Sequence, residues 1–242
     1  GMGRQRSGGE DRRAAAGGRQ ELLALLVAAY VVALAAAAVH WGGVGGGFVY
    51  DDKAVLLRNP DVGYLQSVIT STASLSPLSA VFFSDYWGTP LEEGGSWTHK
   101  SYRPLTILTF RFDYCSAAHG AWQCLTRTWP EDERRAVADT DGWLEAVGWR
   151  LHVGNVAVHA AASGLLVAVL YLCVFRRLWA GVGDGWRALA AAAAGGALFA
   201  VHPVHVEAVG SIVGRADALA ACAVLAALLL QEAAAAAAPA SL

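Results

Sequence analysis

Two long apolar runs constrain the fold of this chain more than any other feature. Residues 22–39 and residues 153–175 contain no Asp, Glu, Lys or Arg over 18 and 23 positions. A helix needs about 20 apolar residues to cross the hydrocarbon core of a bilayer. Charged residues make up only 16% of the chain, whereas an ordinary soluble domain has roughly 25%. The sequence therefore predicts an all-α membrane protein.

Two further apolar runs follow the second one. Residues 188–201 span 14 positions, which is marginal for a crossing unless the helix extends into residues 202–204 or tilts little. The last run begins at Ala218 and continues into an alanine tract before Pro239. The predicted organisation is a disordered basic tail over 1–21, membrane helices over 22–39, 153–175, 188–201 and 218–238, and connecting segments over 40–150, 176–187 and 202–217.

The first apolar run can also be interpreted as a secretory signal peptide. It is longer than the apolar region of a typical signal peptide, and no clear cleavage site with small residues follows it over 41–47. An uncleaved membrane helix is therefore the favoured interpretation.

Basic residues in the short segments set the predicted orientation. The tail carries five Arg, and the segment 176–187 carries three Arg and one Asp. Short segments rich in Lys and Arg remain on the cytoplasmic side of a membrane. The N-terminus is therefore predicted to be cytoplasmic. Four crossings then place segments 40–150 and 202–217 together on the opposite side.

The long segment 40–150 contains most of the tryptophan in the chain. Apolar patches at 81–87 and 105–110 lie inside it. Trp and Tyr favour the headgroup zone of a bilayer, so these patches predict interfacial helices within the loop. A small globular insertion is the alternative interpretation.

Two adjacent carboxylates, Asp51 and Asp52, begin this long segment about ten residues after the first apolar run. One carboxylate of such a pair can act as a general base while the other orients it or stabilises charge. Adjacent Asp residues also start turns and cap helices, which is the commoner reason for an isolated pair. The preceding residues 48–50 are apolar and aromatic, and are expected to hold the pair at the interface.

A second polar cluster lies at residues 98–105. Its cationic side chains His99, Lys100 and Arg103 can bind a phosphate, and Arg offers bidentate geometry. The alternatives are a solvated loop or contacts with lipid headgroups.

A third polar cluster interrupts the apolar runs near the C-terminus. His202 and His205, followed by Glu207, have a spacing that can converge on a metal ion. A proline after His202 breaks the helical spacing, so a polar turn is the simpler interpretation and no metal is predicted. Arg215 and Asp217 follow at the start of the last helix, where Asp217 can act as a cap and Arg215 is a candidate ligand for a charged group.

Net charge and cysteine content exclude some classes. A net charge of −2 gives no basic field for nucleic acid. The four cysteines form no CxxC pair, so the sequence does not support a zinc knuckle. Cys115 and Cys124 can pair in an oxidising compartment, whereas Cys173 and Cys222 are predicted to pack as small hydrophobic side chains.

Several blocks, taken together and in this order, resemble the N-terminal membrane part of the transmembrane and tetratricopeptide-repeat-containing proteins. The blocks are residues 48–53 with 59–62, 99–105, 152–159, 198–209 and 214–217. The resemblance implies a multi-pass protein O-mannosyltransferase of the endoplasmic reticulum with the GT-C fold. Such enzymes use dolichyl-phosphate mannose as the donor substrate, and modify Ser or Thr in cadherin-type domains of secretory-pathway proteins.

The resemblance places Asp51 and Asp52 at the catalytic centre of an inverting transfer, for which no cofactor is expected. One Asp would take the proton of the acceptor hydroxyl, while cations stabilise the leaving phosphate. The candidate substrate- and phosphate-binding residues are His99, Lys100, Arg103, His202, His205, Glu207 and Arg215.

The chain departs from the family in two respects. It ends before the later helices and shows no 34-residue repeat, so it is expected to be a fragment. Residues 113–149 are longer than the corresponding link in the family. Three other functions stay open: another lipid-linked glycosyltransferase of this architecture, a non-catalytic membrane adaptor, and a metal transporter that uses His202, His205 and Glu207.

The predicted orientation can be tested with glycosylation-site tags inserted near residues 95 and 210. Both tags should be glycosylated, because both segments are predicted to face the lumen. Modification of only one tag would show that the short run 188–201 does not cross the membrane as predicted.

Overall fold

The computed structural model describes residues 2–62, 77–93, 100–119, 141–179 and 185–238. Within these ranges the chain is helical, with turns and no strand. The helices are α1 (Met2–His40), α2 (Pro104–His119), α3 (Asp141–Val169), α4 (Gly185–Val201), α5 (His205–Gly210) and α6 (Arg215–Ala237). α3 continues through a π-helical segment, Leu170–Phe175, into Arg176–Leu178.

In the part of the chain that the structure describes, three helical stretches are long and apolar enough to cross a membrane: Ala16–Gly43, Glu145–Leu178 and Ile212–Ala237. α4 is apolar but shorter, at 17 residues. The prediction of an all-α membrane protein is confirmed for the described residues. Whether α4 crosses the membrane, as the predicted span 188–201 requires, stays a prediction.

The first helix differs from the sequence-based prediction at its N-terminal end. α1 begins at Met2, within the segment 1–21 that was predicted to be a disordered tail. Gly is the most frequent residue of this segment and disfavours a helix, but Ala, Arg, Gln and Glu, which have high helix propensity, together make up 12 of its 21 residues. The helix that the apolar run nucleates can therefore extend backwards through the tail.

The long loop contains the helix α2, which includes the predicted patch 105–110. Pro104 is the first residue of α2, where its fixed φ suits a helix start and its missing N–H leaves no bond unmade. The patch at 81–87 coincides with a short 3-10 turn, Leu78–Phe82, and the irregular segment after it.

The chain divides into two compact units. The first contains residues 1–39, 159–202 and 221–242. Its core packs α1, α3 and α4 through small side chains such as Ala36, Ala192 and Ala200. Gly196 lies directly against Val167, where even a Cβ would overlap the valine. Small residues of this kind allow membrane helices to approach closely.

The second unit contains residues 40–158 and 203–220. Its core collects buried apolar side chains from the loop, α2, the first half of α3 and the segment before α6. The largest fully buried ones are Phe110, Leu56, Leu151 and Ile212. This unit includes both the acidic pair and the segment 203–217, and it therefore holds most of the predicted site.

Replacing Gly196 with Val should destabilise the first unit by about 1–3 kcal/mol, because the new side chain overlaps Val167. Helix propensity alone would favour Val over Gly, so a loss of stability would come from the clash. Thermal unfolding in detergent measures the change. The matched control is Gly185→Val, because a Cβ at Gly185 meets nothing within 4 Å. Equal unfolding temperatures for both variants would contradict the close helix packing.

Candidate active site

The acidic pair lies in a tight turn, Val49–Asp52. Asp52 closes the turn twice: its backbone N–H donates to Val49 O at 2.9 Å, and its Oδ2 accepts from Val49 N–H at 3.1 Å. The turn places Tyr50 in the left-handed region with φ of 41° and leaves its side chain 94% exposed. Asp51, the next residue, is also exposed.

Asp52 points the other way, into the second unit, and is fully buried. Its Oδ1 accepts from the backbone N–H of Val213 at 3.0 Å and lies 3.4 Å from the hydroxyl of Ser211. The two neighbouring carboxylates therefore have different environments. Asp52 is held by the nearby Val49 N–H and by two donors of the distant segment 211–213, whereas Asp51 is exposed. Such a contact is possible only if segments 40–150 and 202–217 lie on one side of the membrane, as in the predicted orientation, which stays a prediction.

The segment that binds Asp52 is itself held by Asn155 of α3. The buried Nδ2 of Asn155 donates to three carbonyl oxygens, those of Val209, Ser211 and Ile212, at 3.3, 2.8 and 3.2 Å. Its Oδ1 accepts from Nε of Arg215 at 2.8 Å. One amide side chain thus fixes the backbone on both sides of the turn between α5 and α6.

Arg215, a predicted phosphate ligand, is buried with only 2% of its surface exposed. Its Nη1 donates to Asp113 at 2.6 Å and to Thr109 at 3.3 Å, and its Nη2 donates to the carbonyl oxygen of Leu151 at 2.6 Å. The guanidinium also lies 4.7 Å from the ring centroid of Phe110. These contacts join the start of α6 to α2 and α3.

The close approach of Arg215 depends on a glycine. A Cβ at Gly154 would lie 2.7 Å from Oδ2 of Asp113 and would overlap Nη2 of Arg215. Burial raises the pKa of the Asp113 carboxyl, and the Arg215 guanidinium opposes this shift. Gly154 therefore leaves room for the ion pair of Arg215 and Asp113, and the adjacent Asn155 accepts a hydrogen bond from Arg215.

A second connection links Arg103 to the turn between α5 and α6. The Arg103 guanidinium lies over the ring of Tyr86, 4.9 Å from its centroid. The hydroxyl of Tyr86 donates to the carbonyl oxygen of Val213 at 3.1 Å. Burial raises the pKa of Tyr86 well above its ordinary value, although Arg103 acts in the opposite direction, so the phenol stays a hydrogen-bond donor. Arg103 is exposed, as is Lys100.

The remaining predicted site residues are His99, His202, His205 and Glu207. His99 lies outside the described residues, as does Cys124. His205 is the first residue of α5 and is half-buried, and Glu207 is exposed in the same helix. His202 is exposed and belongs to the first unit. Among the residues that the structure describes, no three His, Cys, Asp or Glu side chains are grouped closely enough to hold a metal ion.

Sequence reasoning did not select Asn155, Asp113, Thr109 or Tyr86. Asn155 gave a signal, because it is one of the few strongly polar side chains, with His159 and Ser163, in the predicted span 153–175. Such residues face a protein interior or a cavity and have partners there. Asp113 gave a similar but weaker signal, because it lies near the end of an apolar helix. Nothing in the sequence marked Tyr86 or Thr109.

Helices that can span a membrane, together with a turn that exposes one acid and buries its neighbour, define an all-α membrane protein with a candidate acid–base site. The chain is 37% identical over 179 residues to the protein O-mannosyl-transferase Tmtc2 of Drosophila melanogaster. It is 33% identical over 190 residues to TMTC3 and 35% identical over 182 residues to TMTC4, both of Mus musculus. The chain belongs to this TMTC family of protein O-mannosyl-transferases, and the resemblance inferred from the sequence blocks is confirmed.

The matches cover 74%, 78% and 73% of this chain, but only 14%, 15% and 19% of the three relatives. The chain thus spans about a seventh to a fifth of the length of these relatives. No protein-family model matches the chain. No solved structure matches it either.

The difference between the two acids can be tested by stability. Asp52→Ala should destabilise the protein by about 1–3 kcal/mol, because the Val213 N–H loses its acceptor. Asp51→Asn should change stability by less than about 0.5 kcal/mol, because Asp51 is exposed. Thermal unfolding of the two purified variants measures both effects. Equal losses would show that the two carboxylates do not differ in their structural roles.

Proposed function

We propose that the chain is the catalytic membrane part of a protein O-mannosyltransferase, which transfers mannose from dolichyl-phosphate mannose to Ser or Thr hydroxyls. Its relatives are named protein O-mannosyl-transferases, which supports transfer of mannose to protein. The observation that carries the assignment within this chain is the division of the acidic pair. One carboxylate is anchored by three hydrogen bonds, and its neighbour is exposed on the same turn.

In this proposal Asp51 is the general base. The acceptor hydroxyl loses its proton to the Asp51 carboxylate as its oxygen attacks the anomeric carbon of mannose. The bond between that carbon and the phosphate oxygen breaks, and its electron pair leaves with dolichyl phosphate. Attack opposite the leaving group inverts the anomeric configuration. Asp52 does not take the proton, because its oxygens already accept bonds from Val49, Ser211 and Val213.

A cation is needed where charge gathers on the leaving phosphate. Among the described candidates, Arg103 suits this role best because it is exposed and connected through Tyr86 to the carbonyl of Val213. Tyr86 restricts the guanidinium without neutralising its charge, and an exposed arginine fork suits bidentate contact with a phosphate. Lys100, three residues earlier and exposed, is the second candidate.

The biological setting follows from the family and belongs to the same proposal. We place the enzyme in the endoplasmic-reticulum membrane with its N-terminus in the cytoplasm, and cadherin-type secretory proteins are its proposed acceptors. The lipid-linked sugar is a substrate, and the mechanism requires no cofactor.

A non-catalytic membrane adaptor is the competing candidate, and one observation favours it. The hydrogen bonds of Asp52 are enough to explain an acidic residue at this turn by structure alone. They do not explain Asp51, however, because Asp51 is exposed. The two functions therefore differ in what they require of Asp51.

Transfer of radiolabelled mannose from dolichyl-phosphate mannose to a cadherin-type domain should fall by about 10²–10⁴-fold in Asp51→Asn, because the general base is lost. The reaction is measured with membranes that contain the chain. Glu92→Gln is the matched control, since Glu92 is another exposed acid of the second unit. Absence of transfer by the unaltered chain would favour the adaptor, whereas full activity of Asp51→Asn would show that Asp51 is not the general base.

A further inference from the structure

The Ile212–Val213 peptide connects the polar network around Arg215 to the acidic pair. The carbonyl oxygen of Ile212 accepts from Nδ2 of Asn155 at 3.2 Å, and the N–H of Val213 donates to Oδ1 of Asp52 at 3.0 Å. Both groups belong to one peptide unit, which is planar and resists twisting. A displacement of Asn155 therefore moves the donor that holds Asp52.

Asn155 cannot move independently, because it is fully buried and held on both of its polar atoms. Its Nδ2 donates to carbonyl oxygens of the turn between α5 and α6, and its Oδ1 accepts from Arg215. Hydrogen bonds in such a chain polarise one another, so each one strengthens the next. The order of contacts is Arg215, Asn155, the Ile212–Val213 peptide and Asp52.

In this arrangement the guanidinium of Arg215 does not present its N–H groups to a lipid phosphate. Its guanidinium donates from Nε, Nη1 and Nη2 to Asn155, Asp113, Thr109 and Leu151. The ring of Phe110 lies 4.7 Å away, and 2% of the residue is exposed. The planar fork of an arginine that binds phosphate must instead present its N–H groups to the ligand.

We infer that Asn155 and Arg215 are positioning residues, which fix the turn bearing Asp51 and Asp52 through the Ile212–Val213 peptide and contact neither substrate. The catalytic consequence rests on the proposed function, whereas the mechanical coupling does not. The guanidinium of Arg215 is held in place by Asp113 and Thr109, and it fits because Gly154 has no side chain.

The first test separates positioning from phosphate binding. Asn155→Asp retains the volume and the acceptor for Arg215, but it loses the amide donors to the turn. In this variant and in Arg215→Lys, kcat should fall by up to about 100-fold, while the KM for dolichyl-phosphate mannose stays unchanged. A raised KM for the donor with an unchanged kcat would instead make Arg215 a phosphate ligand and overturn the inference.

Ser163→Ala is the matched control. Ser163 is a fully buried polar side chain of the same helix, α3, and its hydroxyl donates to the carbonyl oxygen of His159 within that helix. The substitution should leave kcat and both KM values unchanged. If it lowers kcat as much as Asn155→Asp does, then any buried polar residue of α3 has this effect, and a positioning role specific to Asn155 is wrong.

The second test asks whether the effects of two substitutions on kcat are independent. Once Asp52→Ala has removed the anchored carboxylate, adding Asn155→Asp should lower kcat no further, because both act along one path. Thermal stability, by contrast, should fall further in the double variant, because Asn155 also holds the carbonyls of Val209 and Ser211. A further multiplicative loss of kcat in the double variant would contradict the coupling.

The third test needs no activity and therefore survives a failure of the proposed function. Amide hydrogen exchange of the peptide covering residues 209–214, measured by mass spectrometry, should accelerate in Asn155→Asp and in Arg215→Lys but not in Ser163→Ala. Unchanged exchange would overturn the inference, even in a protein that transfers mannose. If the chain transfers no mannose while exchange accelerates as expected, the proposed function fails and the mechanical coupling stands.

Discussion

The buried guanidinium of Arg215 is the interaction on which the second unit depends. Removing a charged group from water costs several kcal/mol unless geometry and hydrogen bonds compensate for it. Here Asp113 provides the opposite charge, and Asn155, Thr109 and the Leu151 carbonyl accept the other hydrogen bonds. Loss of any one partner leaves a buried charge incompletely satisfied. The ion pair therefore specifies how α2, α3 and the start of α6 come together, whatever it adds to overall stability.

The helical architecture could be predicted from the sequence because the apolar runs are long and free of charge. Residues 22–39 and 153–175 lie inside the helical stretches Ala16–Gly43 and Glu145–Leu178 that the structure shows. Helix ends were less predictable. α1 extends back to Met2, and α3 begins at Asp141, because polar residues continue a helix once an apolar segment has formed it. Hydropathy records where a helix meets lipid and not where its hydrogen bonds stop.

The acidic pair was visible in the sequence, but the difference between its members was not. That difference depends on Val213, which is 161 residues away from Asp52. The surroundings of Arg215 were not predictable for the same reason. A charged residue at the start of an apolar helix usually indicates a ligand or a membrane surface, whereas its actual partners are Asn155 and Asp113, 60 and 102 residues away. No local pattern encodes contacts at such separations.

The turn at Tyr50 shows why the two acids need each other. A residue other than Gly in the left-handed region costs about 1–2 kcal/mol, and it persists only where the surrounding structure enforces it. The enforcing contacts come from Asp52, which closes the turn on Val49 and is itself held by Val213. Weakening the anchor would let the strained turn relax and would move Asp51 with it. The buried acid thus determines where the exposed acid is presented, and the polar network behind Val213 becomes part of the site without reaching its surface.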